Sequence, residues 1–155
     1  MLQRIQTIYL LLIAILSGVT VYMPVANLIN TKDNLVYLMD FKGISLIQQT
    51  GSELVSTTWL LTTFATVFGV IALITLFSYK NRIKQIRLCV INMLFMLGYY
   101  IVLAINIWSA CKQLNAEWHL QFAAVLPLVC LILNYLAIGA IGKDEKLVKS
   151  LDRLR

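Results

Sequence analysis

The sequence predicts an all-α membrane protein: a four-helix transmembrane bundle with both termini cytoplasmic, a small extracytoplasmic β-hairpin cap and a C-terminal amphipathic helix. Three observations predict it. The chain is 60% hydrophobic and 13% charged, against about 25% charged in an ordinary soluble domain. Four runs contain no Asp, Glu, Lys, Arg or His, and the basic residues are divided very unequally between the segments that join them. At 155 residues the chain has room for a single integral membrane domain.

The uncharged runs are 5–23, 57–79, 88–108 and 120–141, each 19 to 23 residues long. A hydrocarbon core of about 30 Å takes roughly 20 helical residues to cross, so every run is long enough to span. They are continuous rather than alternating, which excludes a membrane β-barrel, and an open sheet leaves its backbone unsatisfied in lipid. Arg4 ahead of the first run and Pro24-Val25-Ala26 after it loosely fit a cleaved signal peptide. That run is longer than a signal core, however, and Pro24 equally ends a spanning helix, which is the reading adopted.

Orientation follows from the flanks, because cytoplasmic segments carry the excess of Lys and Arg. Arg4, Lys80, Arg82, Lys84, Arg87, Lys143, Lys146, Lys149, Arg153 and Arg155 fall on one side; Lys32, Lys42 and Lys112 fall on the other. The richer side is cytoplasmic. Trp59, Trp108 and Trp118 then all sit at the outer interface, as an aromatic belt requires.

The outer loop, 25–56, contains Asn27, Asn30, Thr31, Asp33, Asn34, Gly43 and Gly51 as turn punctuation. Leu35, Tyr37 and Met39 alternate with their neighbours, and a second β-rich stretch covers 44–47, so a hairpin over the helix ends is expected. It serves as a shield for those ends or as a docking surface.

Inside the runs there is no ionisable group of the kind an ion-coupled transporter places at mid-membrane. Hydroxyls and amides remain. Thr58, Thr62 and Thr66 recur every four residues on one face of the second run, beside the small pair Ala65 and Gly69. Close helix packing explains them, since a threonine hydroxyl can bond its own helix one turn back; a polar groove is the sharper alternative. Asn92 and Asn134 lie at similar depth on the third and fourth runs, and an interhelical hydrogen bond between them is expected.

Chemistry finds little support. Cys89, Cys111 and Cys130 are single, with no paired spacing for a disulfide or zinc. His119 is the lone histidine, without a second ligand or a GxSxG elbow near it. Neither GxxxxGK[ST] nor GxGxxG occurs, so nucleotide-driven chemistry is not indicated. No catalytic residue, metal or cofactor is expected. The net charge of +6 points to anionic lipid rather than nucleic acid, because the basic residues border apolar runs and no aromatic-studded basic surface accompanies them.

The tail, 142–155, turns abruptly from apolar to charged. Leu147, Leu151 and Leu154 recur at helical spacing opposite Lys146, Lys149, Asp152 and Arg153, which predicts an amphipathic helix after a bend at Gly142. Arg4, Arg82 and Arg87 can meet Asp144, Glu145 or Asp152 across the cytoplasmic rim, and with Lys80 and Arg153 these residues form a candidate contact face. An ordinary basic flank is the plainer explanation.

The stretches "MLQRIQTIYLLL", "KNRIKQIRLCVINMLF" and "KDEKLVKSLDRLR" together resemble a family of small four-span proteins of unknown function from Bacteroidota. The matching positions are Gln3, Arg4 and Gln6; Lys80, Asn81, Arg82, Gln85 and Arg87; and Lys143, Asp144, Glu145, Lys146, Asp152, Arg153 and Arg155. The resemblance implies a bacterial inner-membrane protein and brings no catalytic residues. The functional expectation is a non-enzymatic accessory or structural subunit, whose partners are membrane lipids and, through the basic inner face, another membrane or cytoplasmic protein. A small carrier or binder of a lipid or hydrophobic ligand between the spans is the alternative.

Overall fold

The structure is a computed structural model and describes residues 3–30, 35–40, 42–48, 51–78 and 81–152. Among the described residues four long helices and five short strands follow in the order α1 Gln3–Tyr22, β1 Ala26–Asn30, β2 Leu35–Met39, β3 Ile44–Gln48, β4 Gly51–Ser56, α2 Trp59–Phe77, α3 Arg82–Leu114, β5 Glu117–Leu120 and α4 Leu126–Asp152. A single 3-10 turn, Phe122–Val125, leads into α4. Helix α1 packs on α2 and α4, and α3 packs on the same two, so each helix has two neighbours in ring order. The strands lie at one end of this ring; the start of α1, the end of α2, the start of α3 and the end of α4 lie at the other, basic end.

Three helical stretches are long and apolar enough to cross a membrane: Trp59–Phe77, Arg82–Leu114 and Phe122–Asp144; the apolar part of α1, Gln6–Tyr22, is shorter. Their surfaces are inverted relative to a soluble protein. Leu94, Ile101, Ile105, Val70, Ile74 and Ile132 are exposed, whereas Gln6, Thr20, Thr75, Gln85, Asn92 and Asn134 are buried. Water would penalise such a surface heavily, and lipid does not. This marks a membrane protein.

Lipid tails are as apolar as leucine, so the helices associate by close packing and internal hydrogen bonds rather than by escape from water. Small residues supply the closeness between α1 and α2. Ala65 and Gly69 are both buried, and a Cβ on Gly69 would run into the Ser17 hydroxyl. Around this contact Leu10, Ile13, Phe68, Met96 and Cys130 form a fully buried apolar layer.

The cap differs from the expected hairpin. It is a five-stranded antiparallel sheet in the order β4-β3-β2-β1-β5, with Ala26 opposite Met39 on one side and Leu120 on the other. Asn27 and Asn30, expected in turns, instead occupy β1 and act as ties. Asn30 donates from Nδ2 to the Leu114 carbonyl at 3.0 Å, and Gln121 donates from Nε2 to Asn27 Oδ1 at 2.6 Å. Alternation does the rest: Ala26, Leu28, Tyr37, Met39 and Ile44 join the apolar core.

One turn locks the sheet to the helices. Asp40 Oδ1 accepts the backbone N–H groups of Lys42 and Gly43 at 2.9 and 3.2 Å. Gly43 has φ of +148°, and a Cβ there would strike the Ser56 carbonyl oxygen, so only glycine fits. The Asp40 carbonyl in turn accepts from Thr58 Oγ1 at 3.1 Å, at the start of α2.

The tail also departs from expectation. Helix α4 continues through Gly142 to Asp152 without a break, so the charged segment prolongs the last helix instead of bending away as a separate one. A lone glycine costs a helix only about 1 kcal/mol and does not by itself end it.

Candidate functional site

The basic end realises part of the expected charge network. Arg82, the first residue of α3, donates from Nη1 to the Asp144 carbonyl at 2.9 Å, and its Nη2 lies 3.2 Å from Asp144 Oδ2. The first contact is an aligned hydrogen bond; the second is an ion contact without hydrogen-bond alignment. Arg87 is exposed on α3. Arg4 lies in α1, and Glu145 and Asp152 in α4, with side chains outside the described set; Lys80 and Arg153 lie outside the described residues altogether.

The expected bond between Asn92 and Asn134 is corrected. Asn134 donates from Nδ2 to the backbone carbonyl of Cys89 at 2.8 Å, one turn from Asn92 on α3. A main-chain carbonyl on the facing helix offers the amide a fixed acceptor, so the interhelical tie exists without its intended partner. Both amide atoms of Asn92, and Asn134 Oδ1, have no hydrogen-bond partner among the described residues. Nearby, Gln85 Nε2 donates to the Thr75 carbonyl at 3.1 Å and ties α3 to α2.

The threonine stripe does not line one groove. Thr58 is buried and spent on the Asp40 carbonyl; Thr62 lines a cavity of about 10 Å³ with Thr20, Asp40 and Tyr99. Thr66 is exposed, lines a shallow groove between α1 and α2, and donates to the carbonyls of Thr62 and Thr63 at 3.0 and 2.9 Å. His119 is exposed on β5, opposite Asn27. Among the described residues no three His, Cys, Asp or Glu side chains are grouped to hold a metal.

A mostly apolar concavity opens where none was expected, at the sheet end between α3, β5 and the 3-10 turn. Its volume is about 480 Å³. Tyr100, Leu103, Ala104, Ile107, Trp108 and Cys111 supply one wall. These positions form a single helical face, with steps of three and four along α3. Trp118 and Leu120, alternate residues of β5, supply the second wall, and Ala124 and Val125 close it. Tyr100 donates its hydroxyl to the Ala124 carbonyl at 2.9 Å, which leaves its ring as an apolar floor. At the rim, Lys112 Nζ sits 3.8 Å from the centroid of Trp108. The sequence contains a signal for this groove in the aromatic face of 100–111, but the second wall depends on β5, whose residues 117–119 fall in a connection and whose Leu120 begins the fourth uncharged run.

A family described as a domain of unknown function, DUF4293, matches residues 2–154. The chain belongs to the DUF4293 family. The match covers nearly all of the chain, in keeping with the resemblance seen in its basic flanks. Among curated proteins, none matches the chain.

Proposed function

We propose that the chain is a non-enzymatic, four-span integral protein of the bacterial inner membrane, with both termini cytoplasmic, serving as an accessory subunit of a membrane assembly. The observation that carries this reading is the separation of surfaces. The flanks of the helices are apolar, and the polar and charged groups accessible to water gather at two ends, one basic and one capped by a sheet. In the sequence ten of the thirteen Lys and Arg residues flank the apolar runs on the basic side, and the positive-inside rule supports a cytoplasmic position for it. Helix α1 is then the fourth span. It is 20 residues long and joins the packed ring, and at about 1.5 Å per residue it reaches about 30 Å.

Crosslinking in living cells from a photoreactive residue at Lys84 or Arg87 tests the partner. A defined membrane protein trapped there, and lost when Arg82 is replaced by Glu, is the expected outcome. A chain recovered alone, with membrane complexes unchanged when it is deleted, contradicts the reading.

A second reading has its own observation. The apolar groove between α3 and β5 favours a binder of a lipid or hydrophobic ligand, at a place other than the threonine stripe.

A further inference from the structure

We infer that the groove between α3, β5 and the 3-10 turn is a binding site for one anionic phospholipid of the leaflet on the sheet side, with an acyl chain along the groove and its phosphate at Lys112. The inference rests on the membrane reading above and names the ligand class of the second one.

Three features select this occupant. The lining is almost wholly apolar, and its one hydroxyl, on Tyr100, is already spent on the Ala124 carbonyl, so apart from the indole N–H groups of Trp108 and Trp118 and the Cys111 thiol the groove offers apolar side chains that suit an acyl chain. The groove adjoins exposed apolar flank at Ile105 and Phe122, so a chain enters from the bilayer without crossing water. Charge complementarity sets the headgroup. Lys112 is exposed, and its ammonium is held over Trp108, itself a wall of the groove, so a cation stands at the mouth.

The carboxylate nearest in sequence does not oppose it. Glu117 alternates with the lining residue Trp118 on β5 and so points to the other face of the strand. Trp108 and Trp118 are more than half exposed although they line a concavity, at 64% and 56%, and an acyl chain would cover both rings. A cation at an interfacial indole also matches the position of a phospholipid phosphate, which lies at the level where tryptophans gather.

The two indoles supply the measurement. A Trp59→Phe chain is reconstituted into phosphatidylcholine vesicles, leaving Trp108 and Trp118 as the fluorophores. Brominated phosphatidylglycerol or brominated phosphatidylcholine is then added at low mole fraction, and quenching is compared. The site predicts that phosphatidylglycerol competes about fivefold better, the advantage expected of one basic group at an anionic headgroup. The preference should survive Lys112→Arg, disappear in Lys112→Gln and weaken in Ala104→Phe, which fills the groove from an exposed position.

Equal quenching by the two lipids overturns the site and leaves only bulk bilayer contact. A preference that persists in Lys112→Gln overturns the role of the lysine and with it the site. Quenching by neither lipid overturns the membrane reading itself, so the two failures are distinguishable.

Discussion

At the scale of single residues, the interior depends on a few close approaches and fixed amides. Gly69 admits no side chain while Ser17 faces it. Gly69→Ala is expected to destabilise the protein by about 1–3 kcal/mol through overpacking, and Ser17→Gly in the same chain should recover most of the loss. Thermal unfolding in detergent measures both. Asn134→Ala removes the buried donor to the Cys89 carbonyl and should cost about 0.6–2 kcal/mol. Asn92→Leu should cost less, because neither of its amide atoms has a partner to lose among the described residues. Sequence spacing placed Asn92 and Asn134 within a few ångströms of the same depth, and both side chains are buried. It did not show which acceptor Asn134 would choose, since a backbone carbonyl competes with every side chain and is invisible to residue pattern.

At the scale of elements, the helices were legible and the sheet was only partly so. Uncharged runs of sufficient length have few alternatives in lipid, and all four became helices. Strand β2 followed the alternation at 35–39, and β3, Ile44–Gln48, followed the β-rich stretch at 44–47. Strand β1 was hidden by Asn27 and Asn30, which look like turn residues until their partners on Gln121 and Leu114 are known. β5 is only four residues long and finds its neighbour far back in the chain, so no local pattern announces it. The groove inherits that obscurity because half of it is built on β5.

The tail gives the clearest test at this scale. Because α4 runs through Gly142 and no atom of the described residues lies within 4 Å of the position a Cβ would take, Gly142→Ala should be tolerated and should stabilise the helix by up to about 1 kcal/mol. A loss of stability would instead point to the bend expected from sequence. Circular dichroism during thermal unfolding reads the difference.

At the scale of the whole molecule, length fits the bilayer without fitting it tightly. Helix α3 has 33 residues and extends about 50 Å, against a hydrocarbon core of about 30 Å, so its ends reach past the apolar layer. Arg82, Lys84 and Arg87 lie on one overhang and Lys112 near the other, which allows both sets of charges to remain hydrated. The Arg82–Asp144 contact joins α3 to α4 at the basic end, while Asn30 ties the sheet to the last turn of α3. The two ends are thus separately fastened around an interior whose outer flanks face lipid.

The central claim is that this chain crosses the membrane with its basic end in the cytoplasm and its sheet outside. Single cysteines introduced at Lys84 and Glu53, in a chain whose native cysteines are replaced by serine or alanine, test it in spheroplasts with a membrane-impermeant maleimide. Glu53→Cys should be labelled in intact spheroplasts and Lys84→Cys only after permeabilisation. Labelling of Lys84→Cys in intact spheroplasts, with Glu53→Cys protected, would contradict the account.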